Sequence, residues 1–125
     1  MATRSLIGMN QGNGIIKTIY CHWDGYPEGV GATLVKHYNT PVKVNGLLEL
    51  GDVSSLGDTL EDTQAYHRDR GESLDMVGAR DVSEGELMKV ASDYDAEYVY
   101  VFNNNFEWDC LNNENAQIKI VADVA

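Results

Sequence analysis
The chain is poor in several features that would assign it to a class at once. Two cysteines in 125 residues are too few for a disulfide-built scaffold, and with no apolar run of signal-peptide type they point to a reducing, cytoplasmic setting. No stretch approaches the roughly eighteen apolar residues of a membrane helix, so a soluble protein with no membrane partner is expected. Basic residues are scarce: nine Lys and Arg stand against twenty Asp and Glu, for a formal charge of −11. Residues 1–50 hold four basic and three acidic side chains, whereas residues 51–125 hold five and seventeen. That balance excludes an electrostatic grip on a nucleic-acid backbone, which needs a basic footprint. It leaves open an acidic surface that competes with nucleic acid for a basic protein. With no internal repeat and no low-complexity linker, residues 1–125 read as one domain, with 111–125 either a flexible tail or an edge strand.

What is present is concentrated in one stretch, Tyr20-Cys21-His22-Trp23-Asp24-Gly25-Tyr26-Pro27-Glu28-Gly29-Val30-Gly31. The β-branched and aromatic run from Ile15 to His22 predicts a strand, which puts Cys21 and Trp23 on one face and Tyr20 and His22 on the other. Asp24-Gly25 then predicts a turn, and Pro27 the start of a helix near Glu28. At such a start backbone N–H groups lack partners, and Gly29 and Gly31 would let an anion approach them. His22, Trp23, Asp24 and Tyr26 would ring that spot. The competing reading makes Trp23 and Tyr26 caps on the core and Asp24 a bonding partner within its own turn.

The rest of the chain predicts an α+β fold, an antiparallel sheet packed with two or three short helices. Residues 3–22 read as a β-hairpin turning at Gln11-Gly12-Asn13-Gly14, which lays Arg4 on the sheet close to the strand that ends at His22. Val30, Leu34 and Tyr38, with Val35, predict an amphipathic helix from Glu28 to Asn39, leaving His37 to solvent. Thr40-Pro41 opens a second helix carrying Val44, Leu47 and Leu48 and closed by Gly51. Residues 51–57 form a turn-rich segment whose small polar residues can bond backbone or a ligand phosphate, ordinary turn chemistry being the favoured role; 58–64 form a loop and 73–82 an irregular stretch. Ser83-Glu84-Gly85-Glu86 matches a capping box before a short helix through Leu87, Val90 and Ala91. Residues 97–102 predict a strand, Asn103 to Asn105 a hairpin turn and residues 106–110 its partner, with Trp108 in the core.

A second candidate segment is Ala65-Tyr66-His67-Arg68-Asp69-Arg70-Gly71-Glu72. If it is a strand, Arg68 and Arg70 project from one face and can grip a phosphate or carboxylate together, with His67 beside them. An internal ion-pair network among Arg68, Asp69, Arg70 and Glu72 is the alternative. Cys21, His22, His67 and Cys110 are zinc-type ligands at a spacing that matches no compact zinc motif, so no metal and no cofactor are expected. A disulfide between Cys21 and Cys110 stays open.

Taken in order, Thr3-Arg4-Ser5, Tyr20 to Pro27, Gly51-Asp52-Val53-Ser54-Ser55-Leu56-Gly57, Arg68-Asp69-Arg70-Gly71-Glu72 and Tyr98 to Phe102 resemble the motifs of a family of small proteins encoded by bacteriophages and mobile elements. The resemblance spans roughly residues 3–108 and implies a phage accessory protein in the cytoplasm of a bacterial host, with counter-defence as its occupation. It carries no assigned activity. The residues favour a non-enzymatic module that captures a small anionic or nucleotide-like ligand, with Trp23 or Tyr26 stacking and Arg4, Arg68 and Arg70 meeting phosphate. A homo-oligomer sharing its site between subunits fits the small size of the domain, which leaves little room for a deep pocket. The alternatives are an acidic inhibitor of a host defence protein, of the anti-CRISPR or nucleic-acid-mimic kind, and a small hydrolase using His22 as general base oriented by Asp24.

Overall fold
The computed structural model describes residues 2–120. The predicted hairpin forms: β1 (Ser5–Asn10) pairs antiparallel with β2 (Ile15–Cys21), Ser5 facing Cys21 and Asn10 facing Ile16. Alternation then sorts the side chains, Ile7, Ile19 and Cys21 to one face and Leu6 and Ile16 to the other. After β2 the chain makes a π-helical turn at Pro27–Gly31, continues into α1 (Ala32–His37), and reverses into α2 (Pro41–Glu49), whose Thr40 hydroxyl accepts from Lys43 N–H. Val30, Leu34, Tyr38, Val44, Leu47 and Leu48 are all buried, so the helical spacing read from the sequence is the spacing of the core. At about 1.5–3 kcal/mol for each fully buried aliphatic side chain, this stripe is what holds the helices to the sheet.

The sheet is α+β as expected, but mixed. Its order is β4-β3-β2-β1-β6-β7-β8, where β3 is Val53–Ser55, β4 Gln64–Ala65, β6 Tyr98–Phe102, β7 Trp108–Asn112 and β8 Gln117–Ile118. Two pairings, β1 with β6 and β2 with β3, are parallel. The α1–α2 passage is the crossover that makes β2 and β3 parallel, and it covers the first face. A further strand, β5 (Arg80–Ser83), pairs with the first half of β2, along the edge that β3 meets at Cys21. From β5, α5 (Leu87–Asp93) crosses the second face to β6, burying Leu87 and Ala91 against Leu6, Val99 and Val101.

Three local expectations change. Residues 73–82 are ordered, as α4 (Leu74–Val77) capped by the Ser73 hydroxyl and then β5. Their short period hides both elements. The capping box does not form: Ser83 is held in the ladder opposite Ile15, and Glu84 N–H goes to Gly14 C=O at 3.0 Å, so a 3-10 turn precedes α5 instead. Residues 66–70 are α3 (Tyr66–Arg70), a single helical turn and not a strand; Asp69 accepts from Ala65 N–H at 2.8 Å at its start, and Gly71 at φ 72 ends it. The last strand pair reaches the tail, with Ile118 against Cys110; the expectations for residues beyond 120 fall outside the described residues.

Candidate functional site
The second face of the sheet is covered by α5 only in part. Beyond that helix, where β2 ends beside β3, polar aromatic side chains take the place of aliphatic ones. Tyr20 projects from β2 and stacks on Tyr94 at 5.3 Å between ring centroids. Its hydroxyl meets Nδ1 of His22 at 2.7 Å, and the His22 ring lies edge-on to Trp23 at 4.7 Å. The expected face-sharing of Tyr20 and His22 is therefore a direct hydrogen bond. Burial pushes the Tyr20 hydroxyl up to about 12, against the pull of the Arg4 charge nearby. It stays protonated near neutrality and can donate to Nδ1.

Beneath this layer a half-buried arginine pairs with a buried carboxylate. Asp52 accepts from Tyr20 N–H at 2.8 Å and from Arg80 at 2.9 Å, so one carboxylate fills the gap between β3 and β5 along β2. The Arg80 guanidinium stacks on Tyr94 at 5.1 Å, and its Nη1 is buried without a hydrogen-bond partner. Ser54 links the next pair of elements: its carbonyl accepts from Trp23 N–H at 2.9 Å while its hydroxyl accepts from Arg70 at 3.4 Å. Arg70 in turn lies over the Tyr66 ring at 5.0 Å. The residues Tyr20, His22, Trp23, Ser54, Tyr66, Arg70, Arg80 and Tyr94 thus make one connected patch, and the charge of Arg4 acts on Tyr20 at its side, so three of the four arginines of a strongly acidic chain gather here.

Of the side chains singled out by sequence, Arg4, His22, Trp23 and Arg70 belong to this patch, and Trp23 is 44 % exposed. Arg68 does not. Because residues 66–70 are helical, Arg68 and Arg70 point about 200° apart. Arg68 turns inward to the carbonyls of Leu60 and Thr63 and to Asp69, where it ties down the 58–64 loop. His67 Nδ1 bonds the Glu72 carbonyl at 2.6 Å, closing its own helical turn. Asp24 and Tyr26 contact each other at 3.4 Å, and neither orients His22. It is the Tyr20 hydroxyl that bonds the His22 ring.

The anion cradle expected at the helix start is also absent among the described residues. Gly29 N–H and Val30 N–H are taken by Tyr26 and Asp24 carbonyls at 2.9 Å. The glycines serve close packing: a Cβ on Gly29 would come within 2.4 Å of the Asp24 carbonyl, and one on Gly25 within 2.8 Å of Ser5 and of the Thr3 carbonyl. Gly25 N–H bonds Thr3 and its carbonyl accepts from the Tyr100 hydroxyl at 2.7 Å, which fastens the loop to the end of the sheet.

Both cysteines are free and buried, their thiols pushed up to about 12 at Cys21 and about 11 at Cys110 by burial. They lie on β2 and β7, three strand spacings or roughly 14 Å apart, beyond disulfide reach. No group of three or more metal-ligating side chains gathers among the described residues. Nor does any described helix have the length and apolarity to cross a membrane. A groove of about 620 Å³ lies between α1 and the β7–β8 hairpin, but its charged lining is Glu107, Asp109 and Lys119. That set is net negative and suits no anion, so space and chemistry are in different places, and the chemistry marks the open patch. Tyr20, Tyr66, Arg80 and Tyr94 were not anticipated as site residues. Only Tyr20, two positions from His22 on a strand, carried a signal for it. Compared with models of protein families, with curated proteins and with solved structures, the chain matches none significantly.

Proposed function
We propose that the protein is a binding module that captures a small anionic, nucleotide-like ligand on the Arg4–Trp23–Arg70 patch. The observation that carries this reading is the convergence at Ser54. One residue joins an exposed tryptophan to a loosely held arginine on a molecule of charge −11. A planar base stacks on Trp23, and phosphate meets the guanidinium by charge-assisted hydrogen bonds. The motifs behind the phage resemblance meet here too, Arg4, His22, Ser54 and Arg70 each coming from a different one. This supports a counter-defence role in which the ligand is a host signal and the protein its sponge.

Purified protein tests this directly. Ligand absorbing near the nucleobase band should co-purify, and a nucleotide panel should raise the melting temperature, by an amount equivalent to about 2.7 kcal/mol at a hundredfold excess over Kd. A flat response to every nucleotide and to inorganic phosphate would remove the reading. A second reading, the acidic inhibitor, draws on the exposed carboxylates of α4, β5 and the turn before α5, Asp75, Asp81, Glu84 and Glu86. It requires salt-sensitive capture of a basic host protein that survives Trp23→Ala.

A further inference from the structure
The register across the sheet adds a constraint on the ligand. Ser5 faces Cys21 and Cys21 faces Val53, so one position further on Arg4 stands opposite His22, and His22 beside Ser54. His22 N–H to the Val53 carbonyl at 3.1 Å continues that pairing, and Arg4 C=O is fixed from its other side by Glu97 N–H at 2.8 Å. Alternation sends Arg4, His22 and Ser54 to the same face as Leu6 and Tyr20. They form a row across three strands, so that the backbone under Arg4 and the backbone under Ser54, which holds Arg70, are two strand spacings or roughly 10 Å apart.

The two guanidiniums at the ends of this row are lightly engaged. Among the described residues Arg4 meets Asp95, at 3.6 Å in an exposed pair of the kind that contributes little. Arg70 has one long bond to Ser54 and its stack on Tyr66. Arg80, by contrast, is neutralised by buried Asp52. Two lightly engaged cations therefore stand at the two ends of the row with His22 between them, and each can take an anionic group of its own. We infer that the site takes a nucleoside carrying a phosphate on each flank, as in a nucleoside 3′,5′-bisphosphate or the repeating unit of a dinucleotide. This rests on the anion-capture reading above and goes beyond it in naming the number and placement of the charges.

Calorimetric titration of the full chain with adenosine and guanosine 3′,5′-bisphosphates, against the matching 5′-monophosphates at one ionic strength, separates the two claims. For at least one base the bisphosphate should bind roughly tenfold or more tightly than its monophosphate. Arg4→Gln and Arg70→Gln should each bring it down to the monophosphate level, with melting curves confirming that both variants fold. Equal affinity for bis- and monophosphate would overturn the two-phosphate claim and leave anion capture standing. No binding of any of the four would overturn both.

Discussion

On the first face of the sheet, α1 and α2 press Leu34, Val44 and Leu47 onto Ile7, Ile19 and Tyr100, and all six are shut off from water. On the second, α5 covers the middle of the sheet, and past it the cover is made of Tyr20, Tyr94, Tyr66 and the guanidiniums that stack on them. The contrast separates two uses of side-chain area. Aliphatic cover is valuable only when dry, whereas an arginine or tyrosine can shield apolar surface with its body and keep a polar end available. A face closed in the second way remains open to a ligand without exposing a large apolar patch.

The sharpest way to break that comparison is to truncate each face. Leu34→Ala or Leu47→Ala should lower unfolding free energy by about 2–5 kcal/mol in urea titrations. Trp23→Ala, at an exposed position, should stay within about 0.5 kcal/mol while abolishing nucleotide-induced stabilisation. Equal losses on the two faces would mean that the aromatic patch is core in all but name.

Arg80→Met comes next. It strands Asp52 as a buried carboxylate with only Tyr20 N–H as partner, and should cost about 3 kcal/mol. Asp52→Asn/Arg80→Met should lose less than the sum of the single changes, because the stranded charge is gone. Additive losses in that cycle would show that the pair does not act as a unit, and the patch would then lack its structural floor.

A smaller effect is confined to high pH. The folded Tyr20 hydroxyl holds its proton to about 12 against an ordinary value of 10.0, so the unfolded chain releases that proton first. The contribution is therefore present below pH 10 and is lost as pH rises between 10 and 12. Tyr38 and Tyr100 are pushed the same way by burial on the first face, so the measurement is a difference: wild type minus Tyr20→Phe should shrink across that window. A gap constant from pH 8 to 12 would place Tyr20 in water.

How much of this was legible in the residues depended on range. The hairpin, α2 and β6 follow from local alternation, a Thr-Pro start and β-branched runs, and each formed. The site was legible as far as His22 and Trp23, where unusual chemistry is packed into one stretch. Tyr94 and Arg80 were not, since what makes them site residues is a crossover by α5 and a pairing of β5 with β2, contacts dozens of positions apart. The 65–72 segment misled for a different reason. Five residues are too few to show a period, and what makes them a helix is Asp69 bonding Ala65 N–H and Gly71 adopting a left-handed conformation.

That segment also supplies the finest test of the two-face picture, because its arginines fall on opposite sides of one turn. Arg68 spends its donors on the Leu60 and Thr63 carbonyls and on Asp69, whose carboxyl it holds below the usual range. Arg68→Ala should therefore loosen the 58–64 loop, seen as faster proteolysis there and a lower unfolding midpoint, with nucleotide affinity unchanged. Arg70→Ala should do the reverse, leaving the midpoint in place and removing the affinity, since its partners are an aromatic ring and one long hydrogen bond. If Arg68→Ala abolished binding in a chain with an intact loop, the two guanidiniums would have to act together, and the helical turn that separates them would not be the form that binds.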